Sequence, residues 1–214
     1  MSIVKTGLLR YLYDDARIDI EYKSSEFWQH YLGKEFGDTQ LYSVTCEVPP
    51  DGSRRRVGMV VKRYDVHHDT MTAILWVEFK QPGGSIQEVE AQALDAAQRY
   101  IQTEDSLFIY TMTIVGVSFR VWFYKKEGST LIPLHGDPTN ADGSQYIDAD
   151  SEHAWVLPSC IEMVKSELPL RDPPTVPSQS LSEPQVDYGA EEGHGDQVLD
   201  TQRENYAGEP SSSA

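Results

Sequence analysis

Glu78 and Lys80 stand two residues apart at the end of an apolar run, Met71 to Lys80, reading MTAILWVEFK. On an extended strand every second side chain points the same way, so this carboxylate and ammonium share one face while Val77 and Phe79 take the other. Charges at the end of so apolar a strand are costly to bury unless they meet each other, a metal or a ligand, which makes Glu-x-Lys a candidate site. The plain alternative is a frayed strand end, where both side chains run along their apolar stems into water. The other chemistry-bearing residues make weaker patterns. His67 and His68 are adjacent, point to opposite sides and have no cysteine near them, so exposed turn histidines are expected rather than a metal pair. Arg54-Arg55-Arg56 is a compact basic run, suited to phosphate or to a solvated strand start. Gly83-Gly84 lacks the spacing of a phosphate-cradling loop, and the chain has no Gly-x-Ser-x-Gly and no His-Glu-x-x-His.

The elements that must position Glu78 can be read on either side of it. Ser24 or Ser25 can cap a helix whose apolar positions Phe27, Trp28, Tyr31, Leu32 and Phe36 recur at threes and fours and which ends at Gly37. Leu41 to Val48 reads as a strand stopped by the turn Pro49-Pro50-Asp51-Gly52. Arg54 to Val66, the polar corner His67 to Thr70, and the run 71 to 80 make an antiparallel hairpin. Ser85 followed by Glu88 opens a second helix with a capping-box pattern, its stripe being Ile86, Val89, Ala93, Ala96, Ala97, Tyr100 and Ile101. Strands follow at 107 to 115 and 118 to 125 around Gly116-Val117, with Arg120, Trp122 and Tyr124 alternating with Val121 and Phe123. Trp76 and Trp122 are expected in the core. The first 22 residues show no clear period, LLRYLY suiting a short helix or strand. Gly128 to Ser144 reads as loop, and Ser159 to Leu168 as a short docking helix.

The chain has 214 residues and a net charge of -16. Residues 160 to 214 hold 11 Asp or Glu and 3 Lys or Arg, a balance of -8, leaving another -8 on residues 1 to 159. An acidic body argues against a protein that lives on the phosphate backbone, although a local basic patch is compatible with it. Cys46 and Cys160 are far apart and form no C-x-x-C, which suits a reducing compartment, with Cys46 a small hydrophobe inside its strand. Charges at Lys5, Arg10, Asp14 and Asp15 interrupt the first apolar residues, so neither a signal peptide nor a membrane span is expected there, and the expected location is intracellular, cytoplasmic or nuclear. From about 169 onward Pro, Ser, Gly, Glu and Asp replace apolar clusters, so the expected organisation is one α/β domain over 1–168 and a disordered acidic tail over 169–214.

The order helix, strand, strand, strand with Glu-x-Lys, helix, strand resembles the PD-(D/E)XK nuclease-like superfamily, whose core is αβββαβ. The likeness spans about 24 to 168. It looks most similar to a poorly characterised branch found in fungal predicted proteins, in which VEFK is followed by a Gln-containing helix and a VxFxVWFY-like strand. The resemblance implies a restriction-endonuclease-like fold, a mixed sheet flanked by helices. It also implies Mg2+ bound by two carboxylates, with Glu78 as a metal ligand, Lys80 as the motif lysine orienting water, and Glu26 or Glu35 as the helix acid. Hard divalent cations take oxygen ligands and polarise phosphate, so that chemistry is coherent. The family's Asp is the missing piece. With His67 to Thr70 as the corner, cross-strand partners sum to about 136, which sets Gly58 opposite Glu78. Asp51, in a literal Pro-Asp, lies roughly 20 Å along the strand from that place. Asp65 and Asp69 read as turn residues, and Glu90 and Gln92 as solvated ones. The expectation is therefore a degenerate site in a protein with a non-catalytic interaction role, whose partner is a protein met through the surface or the acidic tail. The alternative is an active Mg2+-dependent nuclease acting on nucleic acid through Glu78 and Lys80.

Overall fold

The strand that carries Glu78 lies in the middle of a single mixed sheet. The structure, a computed structural model, describes residues 1–18, 21–48, 57–137 and 143–169. The turn at 49–52 with Asp51, the Arg54–Arg56 run and everything from 170 onward lie outside the described residues. The chain groups into a unit Met1–Pro174 and a unit Thr175–Ala214, and every described helix and strand belongs to the first.

Strands β1 (Tyr42–Val48), β2 (Val57–Asp65) and β3 (Thr70–Lys80) form an antiparallel meander. Helix α3 (Ile86–Glu104) returns the chain so that β4 (Phe108–Val115) lies parallel to β3, and β5 (Ser118–Lys125) closes a hairpin on β4. For these five strands the order in the sheet is the order in the chain. Two-residue strands β6 (Ile132–Pro133) and β7 (Ile147–Asp148) pair with β5; both lie in stretches that the sequence marks as loop or leaves unassigned. Their pairing rests on long-range placement that no local pattern signals.

Two helical layers cover the sheet. On one face α1 (Leu8–Ala16), α2 (Glu21–Glu35) and α4 (Val156–Ser166) pack over Met59, Val61, Leu75, Val77, Phe79 and Met112. On the other face α3 lays Ala96, Ala97, Tyr100 and Ile101 against Val60, Trp76, Ile109 and Tyr124. The N-terminal segment is a helix because Leu9, Leu12, Tyr13 and Ala16 make one buried stripe, a period blurred in the sequence by the exposed Leu8 and Tyr11. α2 begins ahead of the expected cap. Ser24 is inside it, with its hydroxyl buried and donated to the Gly116 carbonyl, which also accepts from Trp28 Nε1 at 3.1 Å. Among the described residues no helix is long and apolar enough to cross a membrane.

The strands β2 and β3 meet across a corner at 66–69 rather than 67–70, since Asp65 pairs with Thr70, and partners from there to Lys62 with Ala73 sum to 135; only Val61 with Leu75, Val60 with Trp76 and Met59 with Val77 sum to 136. Beyond Val61 the next pair is Lys62 with Ala73, which leaves Ile74 as the extra residue of a β-bulge. Ile74 and Leu75 both enter the core under α2, and the alternation that puts Trp76, Glu78 and Lys80 under α3 starts from that bulge.

Candidate functional site

Glu78 is only 8 % exposed, near the end of the buried run Ala73–Phe79 of β3. Its carboxylate accepts the backbone N–H of Gly58 and feels the charges of Arg99 and Lys80, all of which favour ionisation. Burial outweighs them, with Asp95 adding repulsion, and the carboxyl is pushed up to about 7. Lys80 does not reach back to Glu78. Its ammonium is held by Glu88 Oε1 at 2.7 Å, and Gln92 Nε2 donates to the same oxygen at 3.3 Å. Ser85 Oγ caps α3 by accepting the Glu88 N–H at 3.2 Å, as the sequence pattern predicts. The Glu88 side chain goes to Lys80 instead of completing the box. On the following turns Arg99 Nε donates to Asp95 Oδ2 at 3.0 Å.

Gly58 presents a hydrogen-bond donor where the resemblance implies an acid. A Cβ added there would lie 2.2 Å from Phe79 Cδ2, 2.8 Å from Phe79 Cε2 and 3.1 Å from the Val77 carbonyl oxygen, so the space beside this backbone belongs to a buried ring. Glu26 is not brought to Glu78. It sits on α2, the helix packed on the opposite face of the sheet, where its side chain is 54 % exposed and 3.8 Å from Lys23. Glu35 belongs to the same helix. Among the described residues no group of three or more His, Cys, Asp and Glu side chains is placed to hold a metal ion. As a seat for Mg2+ the donor set is poor: one carboxylate, already facing an N–H and two cations, against an ion that asks for several oxygen ligands. Asp65 accepts the N–H groups of His67 and His68, and Asp69 has φ 51°, as befits turn residues.

A second polar cluster lies on the same face, and sequence reading missed it. Across the sheet Glu78 is level with Thr113 on β4, and Thr113 with Arg120 on β5. Arg120 is 1 % exposed, donates to the Asp137 carbonyl at 2.7 Å and lies 4.3 Å above the Trp122 ring. Tyr146 joins Thr113 Oγ1 at 2.7 Å and donates to Glu90 Oε1 at 3.1 Å, and Trp122 Nε1 donates to Thr113 Oγ1 at 2.8 Å. Glu90 is thus a bonded, largely covered carboxylate rather than a solvated one. The signal was present in the alternation Arg120, Trp122, Tyr124, which places an arginine on an aromatic, inward face.

Compared with known protein families, curated proteins and solved structures, the chain matches none.

Proposed function

We propose that this chain is a catalytically silent protein of the PD-(D/E)XK nuclease-like kind, in which the seam around Glu78 and Lys80 has become structural and the molecule acts by binding another protein. The fold reading is supported by the succession α2, β1–β2–β3 antiparallel, α3 and a strand parallel to β3, with Glu-x-Lys at the end of β3. The observation that carries the loss of catalysis is Gly58: opposite Glu78 it supplies an N–H, and Phe79 fills the space a side chain would need. A donor aimed at this central carboxylate competes with a cation for the same oxygen. The motif lysine is likewise spent on Glu88. A binding role suits the charge of the chain, since an excess of 8 acidic groups beyond residue 159 attracts basic protein surfaces and repels phosphate.

The test is cleavage by the full chain of duplex DNA, single-stranded DNA and RNA in Mg2+ or Mn2+, beside Glu78→Ala and Lys80→Ala. The expected result is no cleavage above that of the variants. Metal-dependent cleavage abolished by either substitution would replace this reading with the active Mg2+-dependent phosphodiester hydrolase.

A further inference from the structure

Of the four tryptophans in the chain, Trp28, Trp76 and Trp122 are at most 4 % exposed, whereas Trp155 is 56 % exposed. Trp155 ends the short helical turn Glu152–Trp155 that leads into α4. It lines a cleft of about 420 Å³ formed by that turn, β7 and the segment that follows β6. The volume is that of a ligand pocket, and Ile147 and Val156 give it apolar walls. A large aromatic ring left in water beside apolar walls has the character of an anchor for another molecule.

The polar groups of the cleft narrow what that molecule can be. His135 Nε2 accepts the Val121 N–H at 3.2 Å, so the neutral ring carries its proton on Nδ1. Among the described residues nothing accepts that second N–H, and the hydroxyl of Ser151, buried in the wall of the cleft, has no partner either. Both groups suit a carbonyl acceptor. The described lining residues include no lysine or arginine but do include Asp148. Tyr13 and the Asp150 N–H both donate to Asp148 Oδ1, which leaves Oδ2 for another donor. Glu152, between the lining residues Ser151 and His153, is exposed as well. These carboxylates disfavour an anionic guest and favour a cationic one.

We propose that this cleft is the docking seat for an aromatic side chain of a partner protein, carried in a segment with lysine or arginine beside it. The ring lies against Trp155, the neighbouring backbone carbonyl accepts from His135, and the flanking cation faces Asp148 and Glu152. The inference rests on the reading of the molecule as a binding protein, and it gives that reading a place and a partner chemistry. It draws nothing from Glu78 or Lys80.

The experiment is a proton–nitrogen NMR titration of the full chain with the tripeptide acetyl-Arg-Phe-Arg-amide, beside acetyl-Arg-Ala-Arg-amide and acetyl-Glu-Phe-Glu-amide. The indole N–H signal of Trp155 is identified by its loss in Trp155→Phe. The Arg-Phe-Arg peptide is expected to shift that signal and the Ile147 amide saturably, binding at least about tenfold more tightly than either control. Trp155→Ala, its fold checked by the remaining indole signals, should weaken the same peptide by about tenfold as read on the Ile147 amide. No saturable shift at Trp155, or equal binding of Arg-Ala-Arg, would overturn the aromatic seat. Saturable shifts confined to another surface would overturn the cleft and leave the binding reading standing. Metal-dependent cleavage of nucleic acid by the full chain would overturn the silent reading and leave the result of the titration unchanged. If Trp155→Ala unfolds, the comparison of the peptides on the wild type decides alone.

Discussion

Glu78 has an ordinary value of 4.5, yet inside the fold it keeps its proton to about pH 7 because burial outweighs the Gly58 N–H, Arg99 and Lys80. The folded state therefore binds a proton that the unfolded chain has already lost. The contribution of Glu78 to stability is full below pH 4.5 and declines as pH rises through 7. Glu78→Gln removes that decline, so its stability relative to wild type should improve by ~3 kcal/mol between pH 4 and pH 8 in urea titrations. Parallel pH profiles for the two proteins would sink the argument. Gly58 makes a steric prediction of a different kind. Gly58→Ala drives a methyl group to 2.2 Å from the buried Phe79 ring and should cost about 1–3 kcal/mol. In a Phe79→Leu background most of that cost should vanish, and a double-mutant cycle without coupling would show that the ring is not the obstacle.

At the level of elements, α2 is tied to the sheet through the Gly116 carbonyl, which receives both Ser24 and Trp28. Gly116 has φ 61°, and the turn it makes between β4 and β5 aims its carbonyl at the helix. Replacing Trp28 by Phe leaves the ring in place and removes one donor; with Ser24→Ala as well the carbonyl is orphaned. The single substitution should cost about 1 kcal/mol and the pair clearly more than twice that, because the last donor to a buried acceptor matters most. Additive losses in thermal melts would contradict this. The same carbonyl shows why the beginning of α2 was illegible: Ser24 before an aromatic stripe has the composition of a cap, and only a turn far along the chain gives its hydroxyl another use. By contrast the β2–β3 hairpin was legible as a polar corner between two strands, but the register that sets Gly58 opposite Glu78 comes from the bulge at Ile74, which the corner alone does not signal. Nor were the partners of Glu78 on α3 legible. Asp95 and Arg99 lie off the apolar stripe, and which side of a helix abuts a charged strand residue is decided by docking, beyond the reach of local periodicity.

For the molecule as a whole, the segment beyond β5 is fastened over the sheet by the Arg120 bond to Asp137 and by His135, whose Nε2 accepts the Val121 N–H at 3.2 Å. Burial and the Arg120 charge push His135 down to about 4, so it stays neutral in the fold where an unfolded histidine is charged. Its contribution is present above its ordinary 6.5 and is lost as pH falls toward 4. Between pH 4.5 and 6.5 Glu78 and His135 therefore act with opposite slopes, and the wild type should lose less stability across that interval than a variant without His135. His135→Gln leaves Glu78 unopposed, so that variant should lose stability steadily as pH rises across the same interval; a level profile in it would refute the pairing of the two effects. The parallel join of β3 to β4 adds a consequence in time. β2 and β3 meet across a four-residue corner, whereas β3 must wait for all of α3 to be made before β4 can lie beside it. During synthesis the hairpin thus stands with Glu78 open to water and ionised, and the arrival of α3 sets the moment at which that charge is enclosed. Refolding that ends in this step should run faster near pH 4 than near pH 7, because the open carboxylate, with its ordinary value of 4.5, is then largely neutral when the helix closes over it.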